Sequence, residues 1–164
     1  MKVVLVNGSP NEKGCTYTAL KEMADEFGRQ GVETEIVHIG KAAIHGCIGC
    51  GYCRKAGRCV FDDAVNALAE KLVEADGLVF GSPVFYAGIS GQLKCFMDRL
   101  FYSQGARLAG KPAAAVVSAR RGGCAHAPSV GRAGPCAQPA DRGPSRHGQD
   151  HHAAGCLPPP VRAG

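Results

Sequence analysis

Four short apolar runs, separated by segments of helical period, constrain this chain more than any other feature. KVVLV (2–6), TEIVHI (34–39), LVFGSP (78–83) and AAAVVSA (113–119) are too short for helices and fit buried parallel strands. Asn-Gly closes the first run, and Gly81-Ser82-Pro83 closes the third. After the first run, Leu20, Met23, Ala24 and Phe27 recur at helical spacing, with Gly31 as a stop. A second helical segment, DDAVNALAEKLVEADG, starts on Asp62-Asp63 as a cap and presents Val65, Leu68, Leu72 and Val73 before Gly77. A third, ISGQLKCFMDRLFYS, carries Leu93, Phe96, Met97 and Leu100 on one side. Strand–helix alternation at this spacing predicts an α/β fold with a parallel, doubly wound sheet. Right-handed crossovers then place helices on both sheet faces, in three layers.

The pattern stops abruptly near Gly123. Residues 124–164 hold seven of the ten prolines and four of the six histidines, no aromatic residue, and only Val130, Leu157 and Val161 as large aliphatics. Such a segment cannot bury enough apolar surface to offset the entropy of ordering it, so a disordered tail is expected. Two accounts of it stand: a natural low-complexity extension, or a reading-frame shift in a GC-rich gene, which would yield Ala, Gly, Pro, Arg and His. The abrupt break inside SARRGG favours the second. The expected organisation is one domain over 1–123 and a tail over 124–164.

Charge and hydropathy exclude several classes. The formal net charge is +5, with no long block of like charges, so the clustering that nucleic-acid binding needs is missing. MKVVLVNGSP breaks after a short apolar run, unlike a signal peptide, and no run approaches a membrane span. A cytoplasmic protein is expected, where nine cysteines point to metal or catalytic use before disulfides.

In open parallel sheets, ligands seat beyond the carboxyl ends of the strands. The loops expected there are NGSPNEKGCTYT, GSPVFYAGISG and SARRGG, whereas RQGVE, ADG and AGKP at the other edge read as plain turns. The first loop opens onto a helix whose N–H groups and dipole favour an anion, with Ser9, Thr16 and Thr18 as hydroxyl donors. No nucleoside-triphosphate loop and no G-x-G-x-x-G is present, and hydroxyls in place of a lysine suit one phosphomonoester. The bland alternative is a cap cluster without a ligand. Val84, Phe85 and Tyr86 could wall a flat aromatic ligand; the alternative is that Phe85 and Tyr86 belong to the core. Arg120 and Arg121 either offer charge to a ring that becomes anionic on reduction, or are solvated or paired with Asp98.

VNGSP…CTYTAL, GSPVFYAGISGQLKCFMDRL and GKPAAAVVSARRGG resemble the NADPH-dependent FMN reductase group of flavodoxin-like proteins, its iron–sulfur flavoprotein branch above all. The resemblance covers about residues 1–123. It implies a flavodoxin-like sheet ordered 2-1-3-4-5 with FMN across the carboxyl edge, of which this chain supplies 2-1-3-4 and no fifth strand. By the same resemblance Ser9, Cys15, Thr16, Tyr17 and Thr18 surround the FMN phosphate. Pro83, Val84, Phe85, Tyr86, Ser118, Arg120, Arg121 and Gly122 face the ring. A homodimer or homotetramer is implied as well.

GCIGCGYCRKAGRC (46–59) spaces Cys47, Cys50, Cys53 and Cys59 as C-x2-C-x2-C-x5-C. Three thiols at steps of three suit the corners of a [4Fe–4S] cubane, with Cys59 as the fourth ligand. Gly46, Gly49 and Gly51 let the backbone wrap, and Arg54, Lys55 and Arg58 offset negative charge. Zinc usually takes two distant C-x2-C pairs; free or redox-active thiols are the other alternative. The motif also resembles that of iron–sulfur flavoproteins, and the loop hangs from the flavin edge.

The function expected is an FMN-dependent NAD(P)H oxidoreductase, with hydride passing to FMN and electrons onward to the cluster or a small-molecule acceptor. Its rival is a non-catalytic FMN/[4Fe–4S] electron carrier fed by a ferredoxin-like partner. No side chain is expected to act as general acid or base, and no catalytic residue is assigned.

Overall fold

β1 (Lys2–Asn7) is buried from Val3 to Asn7 and runs parallel to β2 (Glu33–His38) on one side and β3 (Gly77–Pro83) on the other. In register, Leu5 lies opposite Ile36 and Val79. β4 (Ala113–Ser118) joins β3, which completes the order β2-β1-β3-β4 that was expected of these residues. The computed structural model describes residues 1–120. The expected tail over 124–164, and the ring-facing positions Arg121 and Gly122, lie outside the described residues.

Period-two alternation sorts the sheet into two cores. Val4, Val6, Leu78 and Phe80 face α3 (Ala64–Glu74) and α4 (Gly91–Leu108), where Val65, Leu72, Leu93, Phe96 and Leu100 meet them. Val3, Leu5, Val79 and Val116 face α1 (Cys15–Arg29), through Leu20 and Ala24. With both faces covered, each inner strand reads as a continuous apolar run, which is why no alternation showed in KVVLV. Full burial of Leu20, Leu72, Phe96 and Leu100 contributes about 1.5–3 kcal/mol each.

The layering follows from a fixed crossover hand. The chain steps one way along the sheet from β1 to β2, then the other way to β3 and on to β4. Reversing direction while keeping the hand sends α1 to one face and both α3 and α4 to the other.

Local signals set the helix ends. Asp63, of the two candidate caps, accepts the Val65 N–H at 3.0 Å and starts α3. Gly31 has φ 74° and ends α1 as expected. Ser90 accepts the Leu93 N–H at 3.4 Å and starts α4, which runs on to Leu108, past the expected stretch. A short α2 (Tyr52–Ala56) inside the cysteine loop was not foreseen. Among the described residues, no helix is long and apolar enough to cross a membrane.

Candidate functional site

Connections leave β1 and β3 in opposite directions, so their carboxyl ends form the switch point of the sheet. Three segments are stitched together there. The Gly8 N–H donates to the Gly81 carbonyl at 2.8 Å, and the Ser90 hydroxyl donates to the Gly8 carbonyl at 2.7 Å. Buried Asn7 shapes the loop that follows: its Oδ1 accepts the Ser9 N–H at 3.0 Å, and its Nδ2 donates to the Glu12 carbonyl at 3.1 Å. Ser9 is buried, and its Oγ accepts the Asn11 N–H at 3.1 Å, so this hydroxyl builds the loop. The end of β2 and the segment after it lean on the same loop. His38 Nε2 lies 2.7 Å from the Ser9 carbonyl, which can only accept, so Nε2 carries the proton. Gly40 is required by close approach, because a Cβ there would sit 1.8 Å from the Ser9 carbonyl oxygen.

The loop delivers the chain to α1. Asp63 and Ser90 cap α3 and α4, but Gly14 gives α1 no side-chain cap. The positive end of that helix therefore faces the loop without a side-chain oxygen. Cys15 and Thr18 are exposed there, Tyr17 is half-buried and Thr16 is buried. The Thr16 and Ser118 hydroxyls bond each other at 2.8 Å across 102 residues. Ser118, assigned by resemblance to the ring side, thus meets the group assigned to the phosphate side.

Beyond β3 the chain turns back on itself. Val84 bridges Ile89, the Val84 N–H donates to the Ser118 carbonyl at 2.8 Å, and the Phe85 N–H donates to the Gly88 carbonyl at 3.1 Å. Pro83 and Val84 are half-buried, while Phe85 is 59% and Tyr86 99% exposed. That rules out the core reading of the two aromatic residues. Ala87 at the tip has φ 55°, a left-handed conformation that costs a residue with a Cβ about 1–2 kcal/mol. Arg120 is exposed, and Lys94 pairs with Asp98 one helical turn away.

The four thiols of the cysteine loop line one cavity of about 460 Å³, which they share with Arg54, Phe61, Arg99 and Tyr102 among others. Cys47 and Cys50 are exposed, Cys53 and Cys59 half-buried. Gly49, Gly51 and Gly57 take φ of 67°, 70° and 66°, which lets the backbone turn around the cavity. Of the glycines expected to do this, Gly46 does not have a positive φ, and Gly57 was missed. Among the described residues, no three His, Cys, Asp or Glu side chains are gathered closely enough to hold a metal ion.

Arg99 was not foreseen at all. Its guanidinium is buried in α4 and every donor is used. Nε donates to Cys59 Sγ at 3.0 Å, Nη1 to Asp63 at 2.5 Å and the His45 carbonyl at 3.2 Å, and Nη2 to Asp63 at 2.9 Å and the Phe61 carbonyl at 3.1 Å. It also lies over the Phe61 ring, 5.1 Å from the centroid, while His45 stacks on that ring at 5.0 Å. Burial pulls against its charge, but Asp63 and then Cys59 outweigh this and raise its pKa. Two amides complete the clamp. Asn66 exchanges bonds of 3.0 Å with both the N–H and the carbonyl of Cys59 and donates to the Phe61 carbonyl at 2.9 Å; Gln104 donates to the Gly57 carbonyl at 2.6 Å. One signal was available in the sequence: an arginine in FMDRLF, three residues after Phe96 and one before Leu100, sits on the buried helix face.

The other titratable candidates have plain roles. The His45 ring packs on Phe61, and half-buried Cys95 lies against Gly46, whose added Cβ would be 3.9 Å from its Sγ.

Comparison with known proteins supplies the context. The model of the NADPH-dependent FMN reductase family matches residues 1–130. An iron–sulfur flavoprotein of Methanocaldococcus jannaschii is 39% identical over 99 residues, 60% of this chain and 51% of that protein. One from Archaeoglobus fulgidus is 36% identical over 118 residues, 71% of this chain and 54% of that protein. The chain thus spans about half the length of these curated relatives. Among solved structures, the NAD(P)H:quinone oxidoreductase of Methanothermobacter marburgensis has a TM-score of 0.58 at 19% identity, covering 73% of this chain and 64% of that one. An apo NADH:FMN oxidoreductase has a TM-score of 0.51 at 23% identity, covering 72% and 58%. At such identities the two structures show the shared fold alone.

Proposed function

The chain belongs to the NADPH-dependent FMN reductase family, and from that premise we propose that it holds FMN across the carboxyl edge of its sheet and oxidises NAD(P)H. One observation carries the reading: an uncapped helix N-terminus, a hydroxyl pair and an exposed aromatic hairpin all meet at the β1/β3 switch point. Those residues fit the group. The N–H groups opening α1, with the Thr16, Thr18 and Ser118 hydroxyls, suit a phosphate dianion. Phe85 and Tyr86 offer a flat apolar wall to a ring system, and Pro83 and Val84 continue it. The Val84 and Phe85 N–H groups are spent on Ser118 and Gly88, so the Tyr86 and Ala87 N–H groups are the loop donors that can meet its polar edge.

Bound FMN would supply hydride acceptance and then one- or two-electron transfer. The protein's own part is orientation, exclusion of water on the covered side, and positive charge from Arg120. A side-chain acid or base is not required for hydride transfer.

The cysteine loop supports a second element, a [4Fe–4S] cluster on Cys47, Cys50, Cys53 and Cys59. Four thiols around one cavity, beside two guanidiniums, form a donor set of the right chemistry. The same loop favours the second reading, an electron carrier that exchanges electrons with a ferredoxin-like protein.

An anaerobic absorption spectrum with FMN and iron quantified, followed by addition of NADPH, tests both readings. One FMN per chain that bleaches with NADPH is expected. FMN that stays oxidised with NADPH but is reduced by ferredoxin selects the carrier, and failure to take up FMN ends both.

A further inference from the structure

We propose that Arg99 is the positioning residue of the cysteine site, holding Cys59 Sγ by its Nε–H as the fixed ligand around which the other three thiols close. This rests on the cluster reading of that loop. The four cysteines are not equivalent. Cys47, Cys50 and Cys53 lie on a stretch shaped by left-handed glycines, with two of the three exposed. Cys59 is held at three atoms: its backbone N–H and carbonyl by Asn66, and its sulfur by Arg99.

Arg99 itself has little freedom to move. Asp63 takes its two Nη atoms in a fork, the carbonyls of His45 and Phe61 take the remaining N–H groups, and the Phe61 ring covers one face. Asp63 is also the N-cap of α3, so the donor that meets Cys59 is fixed to two helices at once. A ligand set with one immobile member loses less entropy on closing than four mobile thiols. A guanidinium N–H bonded to a ligand sulfur also favours the more negative, reduced form of a cluster, because hydrogen bonds to sulfur and local charge set its potential.

Arg99→Lys provides the test. Lysine keeps the charge and can still pair with Asp63, but has no donor at the Nε position. Wild-type and variant chains are reconstituted anaerobically with iron and sulfide and titrated potentiometrically, with far-UV circular dichroism and FMN binding to verify folding. The variant is expected to reduce about tenfold less favourably, a drop of about 59 mV for one electron. Its cluster should also lose iron to a chelator several-fold faster, with FMN affinity unchanged. Four irons in both proteins at equal potentials would overturn the role of Arg99 while leaving the cluster intact. Wild type that takes up no iron would overturn the cluster reading and this inference together. If Arg99→Lys does not fold, wild type labelled with ¹⁵N-arginine decides by pulsed electron–nuclear double resonance of the reduced cluster. A ¹⁵N coupling that survives Arg54→Lys and Arg58→Lys supports the bond, and its absence refutes it.

Discussion

Replacing Gly40 with alanine is the sharpest perturbation of the flavin edge. The new methyl would lie 1.8 Å from the Ser9 carbonyl oxygen and 2.2 Å from its carbonyl carbon. Carbon contacts relax only beyond about 3.5 Å, so the two segments must part by roughly 1.5 Å. Neither can do so easily. Ser9 is buried and bonded to Asn7, and its carbonyl accepts a hydrogen bond from His38 Nε2–H, with the two heavy atoms 2.7 Å apart. Overpacking costs about 1–3 kcal/mol, and losing the His38 bond adds about 1 kcal/mol. A total near 2–4 kcal/mol should appear as a lower urea midpoint at unchanged slope. The shifted loop would also misalign with the N-terminus of α1. FMN affinity, read by quenching of flavin fluorescence, should then fall about 10- to 100-fold. Gly28→Ala is the control: nothing lies within 4 Å of that position in α1, so it should stabilise by up to about 1 kcal/mol and leave FMN binding alone. An unchanged midpoint together with an FMN affinity within twofold of wild type for Gly40→Ala would refute the coupling of the two loops.

Asn66→Ala removes three hydrogen bonds from Cys59 and Phe61 and should destabilise by about 1–3 kcal/mol in urea; a change under about 0.5 kcal/mol would show that water replaces them. Ala87→Gly relieves a positive φ and, after glycine's entropic cost, should raise stability by up to about 1 kcal/mol, visible as a higher thermal midpoint. The Lys71 ammonium, hydrogen-bonded to Glu35 and helped by Lys2, holds the Glu35 carboxyl below its ordinary 4.5. A lowered folded value means this contribution is complete above the unfolded pKa and is lost as pH falls through the folded one. Glu35→Gln should therefore flatten the acid limb of the unfolding midpoint below about pH 4.5, and parallel limbs would contradict the pairing.

What the sequence disclosed depended on how far apart the partners lie. The strands and α1, α3 and α4 were legible because each carries its own period and a boundary signal close by in sequence, such as Gly31 at the end of α1 and Asp63 at the start of α3. Strand order followed from crossover geometry and the family resemblance. The Arg99 clamp was not legible, since its partners are 36 to 54 residues away and only folding brings Asp63, Cys59 and His45 to one guanidinium. The Thr16–Ser118 bond spans the described chain for the same reason. Phe85 and Tyr86 posed a different problem. Hydrophobicity alone ranks them as core, and only the hairpin that turns them outward decides the matter. The strain at Ala87 is invisible to any rule that reserves left-handed turns for glycine.

β1 occupies the middle of the sheet, but in chain order its two neighbours arrive at very different times. β2 follows by about thirty residues and β3 by about seventy. At roughly 5–20 residues per second, the ribosome leaves the second edge of β1 open for about 4–15 s after the strand is made. Through that interval KVVLV presents unpaired amides and apolar side chains that α3, α4 and β3 will later cover. A strand buried from Val3 to Asn7 in the finished sheet is thus a sticky surface during synthesis. Slower elongation lengthens that exposure, and the expected outcome is a smaller share of chains that reach the native sheet.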